Sequence, residues 1–116
     1  NGRFFPAGVD WSHGLLYAAS NDPFLVYFLH RWWAFVALAA VILLARGARR
    51  AGVRPASIIL SAAIGLQILL GIATAMSGVD LALAAAHQAV GAILVASAVW
   101  AAHAAGRRKL IEGVPA

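Results

Sequence analysis

Four polar side chains interrupt the long apolar stretches of this 116-residue sequence: His30, Arg31, Gln67 and His87. A polar or ionisable group inside a membrane span is costly, so each of them is a candidate for function. The two histidines occupy equivalent places, because each lies seven residues after a residue typical of a helix start. At the rise of an α-helix, both imidazoles lie about 10 Å inside an apolar stretch.

Two neutral imidazoles at one depth suit the two axial positions of a haem iron. Ala34 and Gly91 each follow a histidine by four residues on the same helix face, and their small size leaves room for a porphyrin edge. Neither histidine has an Asp or Glu within a helical turn inside its span, so a zinc or di-iron carboxylate site lacks its usual oxygen ligands. Three interpretations remain open from the pattern alone: a haem site, a histidine pair that only packs, and another metal or a proton path.

The remaining polar residues are weaker candidates. Arg31 can extend towards the membrane surface and meet a haem propionate, or equally a lipid phosphate. Gln67 lies near the middle of its stretch, and we expect it to hydrogen-bond to another helix. His13 lies in an N-terminal loop, and His103 follows His87 by 16 residues, or about 24 Å of helix, too far to share its haem.

The composition is that of an integral membrane protein. Hydrophobic residues make up 63% of the chain and charged residues 11%, with a mean hydropathy of +0.85, whereas soluble domains are roughly 45–50% apolar. The net charge of +5 does not indicate a nucleic-acid partner, because most of the basic residues form two clusters that each follow an apolar run. The absence of cysteine excludes disulfides, iron–sulfur clusters and thiolate ligation of haem.

The apolar stretches predict an all-α fold with three transmembrane helices. About 20 residues of helix cross the ~30 Å hydrocarbon layer. Asp22 and Pro23 predict the start of the first helix, Pro55 that of the second, and the pair Ser61 and Gly65 predicts close packing on a neighbour. The predicted segments are a loop over residues 1–22, helices over about 23–45, 56–77 and 81–105, and a tail over 106–116.

The charge distribution predicts the orientation. The two basic clusters, residues 46–54 and 107–109, are expected on the cytoplasmic side. Residues 1–22 and the turn at Asp80 then face outward, and the C-terminus is cytoplasmic. The first and third helices both run inward, so His30 and His87 lie level near the outer face.

With these motifs placed, the chain resembles the C-terminal half of haem A synthase, the membrane enzyme that oxidises the C8 methyl of haem O to the formyl group of haem A. The matching stretches are Leu-Val-Tyr-Phe-Leu-His-Arg at 25–31, Leu-Gln-Ile-Leu-Leu-Gly-Ile-Ala-Thr at 66–74, and His-Gln-Ala at 87–89. The resemblance extends over about residues 5–105.

The resemblance implies a four-helix bundle, here without its first helix, in which His30 and His87 are the axial ligands of haem b. In the half of that family that acts on the substrate, a glutamate lies one turn before the corresponding histidine. Tyr27 stands at that place here, where the haem b half commonly has glutamine. The resemblance therefore predicts a chain that lacks the catalytic residues of an intact enzyme.

The partners implied are membrane lipid, haem, and further helices of the same protein or of a partner chain. The resemblance adds haem O synthase or cytochrome oxidase assembly factors as partners, and the bacterial cytoplasmic (inner) membrane as the location. Two alternative functions remain at this point: a small bis-histidine cytochrome b subunit that transfers electrons, and a membrane subunit without a cofactor.

Overall fold

A computed structural model describes residues 8–112, apart from the side chains of Lys109 and Glu112. Over this range the chain forms helices and turns, with no strand, which confirms the predicted all-α class. The helices are α1 (Leu15–Asn21), α2 (Pro23–Arg50), α3 (Arg54–Met76) and α4 (Leu81–Glu112).

Three of these helices are long and apolar enough to cross a membrane: Pro23–Arg50, Arg54–Met76 and the Leu81–Arg108 part of α4. At most 11% of the residues in the most apolar window of each are buried by the protein itself. Exposed apolar surface on this scale is unfavourable in water and is satisfied by lipid. The prediction of a multi-pass membrane protein is therefore supported by both sequence and structure.

The helix bounds differ from the prediction at three places. Residues 1–22 were expected to form a loop, but Leu15–Asn21 is helical, because Gly14 (φ +87°) turns the chain into a short run of good helix formers. α2 continues to Arg50. α4 runs through Gly106 to Glu112, because an isolated glycine costs a helix only about 1 kcal/mol. Residues 1–7 and 113–116 of the predicted loop and tail lie outside the described residues.

The chain divides into two compact units between Leu38 and Ala39. In the first unit, the side chain of Asp22 holds the start of α2. Its Oδ1 accepts a hydrogen bond from the backbone N–H of Leu25 at 3.0 Å, and its Oδ2 accepts one from the N–H of Asp10 at 3.1 Å. The predicted helix start is thus confirmed, since Asp22 is the N-cap of α2 and also holds the preceding loop.

The second unit has a small core contributed by the end of α2 and by α3 and α4. Leu60 is its largest fully buried side chain, and Leu94 of α4 belongs to the same cluster. Small residues fill the rest of the core, which lets the helices approach closely. The buried members are Val41, Ala45, Ala48, Ala56, Leu60, Leu94 and Ala101.

Close packing was predicted at Ser61 and Gly65, but Ser61 is exposed and a Cβ at Gly65 would meet nothing within 4 Å. The helices come together instead at Gly71 and Gly91, where a side chain of the facing helix occupies the space beside each glycine. Small residues therefore do allow the helices to pack closely, but not at the positions that the sequence pattern predicted.

The two basic clusters meet at one end of the second unit. The connection between α2 and α3 turns at Gly52 (φ +73°), where the N–H of Val53 bonds to the carbonyl of Ala48 at 2.8 Å. The guanidinium of Arg108 lies over this turn, with Nη1 2.5 Å from the place that a Cβ of Gly52 would occupy. Arg108 of the second basic cluster therefore lies against the turn within the first basic cluster, residues 46–54.

Candidate functional site

The candidate site lies in the hairpin of α3 and α4. The N–H of Val79 bonds to the carbonyl of Thr74 at 3.0 Å, and Gly78 and Val79 both have left-handed backbone conformations, at φ +71° and +68°. Asp80 then caps α4, because its Oδ1 accepts the backbone N–H of Leu83 at 3.1 Å. This short connection places α3 and α4 side by side in opposite directions.

His87 of α4 contacts Gln67 of α3 through both ring nitrogens. Nδ1 lies 3.1 Å from the backbone carbonyl oxygen of Gln67, and Nε2 lies 3.4 Å from the side-chain amide nitrogen of the same residue. The imidazole is half-buried. The prediction that Gln67 bonds to another helix is confirmed, and its partner is one of the two predicted ligands.

Two glycines make room for this pair. A Cβ at Gly71 would lie 3.0 Å from Cε1 of His87, and a Cβ at Gly91 would lie 3.0 Å from the amide nitrogen of Gln67. Each polar side chain therefore lies against a glycine of the opposite helix, four residues from the other polar residue of the pair. We call these two contacts between α3 and α4, Gln67 with Gly91 and His87 with Gly71, the exchange pair.

The residues of the exchange pair fit a haem iron in two respects. A backbone carbonyl can only accept a hydrogen bond, so Nδ1 of His87 donates and Nε2 carries the lone pair that a metal uses. Oε1 of Gln67 is buried without a hydrogen-bond partner in the described part of the chain, so only the nitrogen of the amide is held by a hydrogen bond. No three His, Cys, Asp or Glu side chains of residues 8–112 gather as a site for a bare ion, whereas haem needs only axial ligands from the protein.

The other predicted ligand, His30, lies on α2 in the first unit, where its side chain is exposed. Arg31 and Ala34 are also exposed. The neighbouring aromatic rings contact one another along the helix, with Trp32 6.3 Å from Phe28 between ring centroids. This part of α2 presents a histidine, an arginine and aromatic rings on its surface.

The two weaker histidine candidates lie elsewhere. The ring of His13 packs against Tyr17 of α1 at 4.9 Å, and His103 is exposed on the last part of α4. At Gly91, predicted to give room to a porphyrin edge, the space on the Cβ side holds the amide of Gln67 in this structure.

Sequence reasoning missed the roles of Gly71 and of the Gln67 carbonyl. A signal for the first was present, because Gln67 and Gly71 have the same four-residue spacing as His87 and Gly91. In two antiparallel helices, equal spacings allow each large residue to face a small one. The second had no signal, because a backbone carbonyl freed for a side chain leaves no mark in the sequence.

Residues 1–99 match the family COX15-CtaA, described as cytochrome oxidase assembly protein. The chain is 49% identical over 114 residues to the heme A synthase of Sphingopyxis alaskensis, covering 98% of this chain and 32% of that protein. It is 48% identical over 108 residues to the heme A synthase of Novosphingobium aromaticivorans, with 93% and 31% covered.

The heme A synthase of Erythrobacter litoralis is 49% identical over 112 residues, with 97% of this chain and 33% of that protein covered. No solved structure is significantly similar to the chain. The chain spans about a third of the length of these curated relatives. Since the family match extends over most of the sequence, the chain belongs to the COX15-CtaA family.

Proposed function

We propose that this chain is the haem b-binding part of a haem A synthase, corresponding to the C-terminal half of that enzyme. The observation that carries the proposal is the imidazole of His87, which is half-buried between the apolar helices α3 and α4 and whose Nε2 lone pair is set by the bond at Nδ1. Imidazoles that bind a metal almost always donate their other ring N–H to a carbonyl or carboxylate, as His87 does here.

In this proposal the imidazoles of His30 and His87 would hold the haem iron. His30 enters from the sequence pattern, since it lies at the same distance from its helix start as His87. Arg31 would pair with a haem propionate, and Ala34 would keep the surface of α2 low beside His30, while Gly91 accommodates the amide of Gln67. Haem b bound in this way supplies a one-electron carrier or a structural centre for the reaction.

The oxidation of haem O is assigned to other parts of the enzyme. The carboxylates in residues 8–112 are Asp10 and Asp22 before α2, Asp80 at the turn between α3 and α4, and Glu112 at the end of α4. The interiors of the three membrane spans therefore contain no carboxylate in the described part of the chain. A residue that moves protons at the substrate is therefore expected outside this chain, in a half that carries the glutamate before its histidine. This chain holds the cofactor and excludes water around His87.

The proposed location is the bacterial inner membrane, with residues 1–22 outside and the C-terminus in the cytoplasm. The meeting of Arg108 with the turn at Gly52 supports this orientation, because it collects both basic clusters at one end of the second unit. The proposed partners are further helices of the same protein or of a partner chain, together with haem O synthase or cytochrome oxidase assembly factors.

The test is the absorption spectrum of the protein expressed from its own gene and purified from membranes. We expect a low-spin bis-histidine spectrum that is lost in His30→Ala and in His87→Ala. His103→Ala is the matched control, because this exposed histidine of α4 is given no role and its variant should keep the spectrum. An unchanged Soret and α band in both ligand variants would contradict the proposal.

A further inference from the structure

One residue of α3, Gln67, contacts both ring nitrogens of His87 by two different groups. Its backbone carbonyl accepts the Nδ1–H at 3.1 Å, and its side-chain amide donates towards Nε2 at 3.4 Å. The first contact has ordinary hydrogen-bond length and the second is long, so the bond at Nδ1 is the stronger of the two. The same residue therefore holds one side of the ring and lightly covers the other.

The side-chain amide has one end unsatisfied. Oε1 of Gln67 is buried and has no hydrogen-bond partner in the described part of the chain. Burying a polar atom without a partner is unfavourable, so little holds the amide in its present position. Gly91 leaves it space, since a Cβ there would lie 3.0 Å from the amide nitrogen. A ligand with higher affinity for Nε2 can displace this amide.

We propose that Gln67 is the positioning residue of the iron-binding imidazole and its reversible cover. The backbone carbonyl of Gln67 fixes the Nδ1–H tautomer of His87 before haem arrives, and the side-chain amide occupies the Nε2 position until the iron takes it. The cover rests on the proposed haem function; the tautomer does not, because it follows from the hydrogen bonds of the chain itself.

Gly71 is the second requirement of this arrangement. The ring of His87 lies against it, and a Cβ there would lie 3.0 Å from Cε1, tighter than nine in ten real Cβ contacts. The imidazole would have to shift by a few tenths of an ångström, which would disturb the bond from Nδ1 to the carbonyl. Gly65 of the same helix provides a matched control, because a Cβ there would meet nothing within 4 Å.

The tautomer is tested in the protein before haem is loaded, by nitrogen-15 NMR of histidine-labelled protein, with His87→Asn used to assign the signal. We expect the shifts of a neutral ring protonated at Nδ1. A ring protonated at Nε2 would overturn the proposal. This measurement needs no haem, so it can fail while the His87→Ala spectrum still supports the proposed function, and the reverse can also occur.

The cover is tested by haem titration of two variants, followed by electron paramagnetic resonance of the loaded protein. Gln67→Leu should keep the low-spin signal and bind haem about two- to tenfold more tightly, because no amide competes for Nε2. A purely structural Gln67 predicts weaker binding instead, and that result would overturn the cover.

Gly71→Ala should weaken haem binding about 10- to 100-fold, as expected when the orientation of a metal-binding histidine is disturbed. It should also shift the nitrogen-15 signal of Nδ1 in the haem-free protein. Gly65→Ala should change neither quantity. Equal haem affinities in the two glycine variants would overturn the role of Gly71 and with it the fixed position of the ring.

Discussion

The two histidines proposed as ligands lie in regions that are stabilised in different ways. In the first unit, contacts run along the chain: the carboxylate of Asp22 holds Asp10 of the loop and the first turn of α2. In the second unit, contacts run between helices, through the core around Leu60 and through the exchange pair. The orientation of His87 is therefore set by hydrogen bonds across the hairpin of α3 and α4, whereas His30 lies on an exposed face of α2.

The largest effect is expected from Leu60→Ala in the second unit. The side chain is fully buried among α2, α3 and α4, so its truncation should lower the free energy of unfolding by about 2–3 kcal/mol, measured by denaturation in mixed micelles. Leu69→Ala is the matched control, since this leucine of the same helix is 66% exposed and its loss should cost about 0.5 kcal/mol or less. Equal costs would mean that packing between helices does not stabilise the second unit.

A smaller effect is expected from Asp22→Ala in the first unit. Loss of the N-cap should cost about 1 kcal/mol, seen as faster hydrogen exchange at the backbone amides of Leu25 and Asp10. Asp22→Asn should preserve most of the protection, because asparagine is an equally good N-cap. Exchange in α3 and α4 should not change, and a change there would contradict the separation of the two kinds of stabilisation.

The turn of the second unit should be open to improvement. Val79 has φ +68°, a conformation that is unfavourable for a β-branched residue and that asparagine adopts more readily. Val79→Asn should therefore raise the free energy of unfolding by about 0.5–1 kcal/mol in the same mixed-micelle assay. Val79→Ile, which stays β-branched, should give no gain. A loss of stability in the asparagine variant would show that the valine side chain itself stabilises the turn.

The smallest effect concerns Asp10 in the loop of the first unit. Hydrogen bonds from the side chain and the backbone N–H of Ser12 lower the pKa of Asp10 below 3.8. A carboxylate with a lowered pKa stabilises the folded state at pH values above 3.8, and this stabilisation is lost as the pH falls through the folded-state pKa. Ser12→Ala should raise the pKa of Asp10 towards its ordinary value in a carbon-13 NMR titration, while Ser20→Ala should leave it unchanged.

The sequence predicted the features that follow from local pattern. The three apolar helices, the cap at Asp22 and the bond from Gln67 to another helix all follow from hydropathy, helix-start residues and the cost of burying an amide. It did not predict that α4 continues through Gly106, because helix-forming residues on both sides outweigh one glycine.

Contacts between helices were the harder part. Ser61 and Gly65 have the spacing of a packing motif, yet that face is open, and Gly71 and Gly91 form the close approach instead. The spacing on one helix does not say which face meets a neighbour. That choice depends on the rotation of both helices, which the turn at Gly78 and Val79 and the core around Leu60 determine together.

The exchange pair also determines the register of the hairpin. If α3 slid by one turn along α4, about 5.4 Å, a slide in one direction would bring Gln67 against His87, and a slide in the other direction would bring Gly71 against Gly91. The first contact would clash and the second would leave a void, so the hairpin has one favourable alignment. The depth of the His87 imidazole in the membrane is then a product of hairpin folding, set before any cofactor binds.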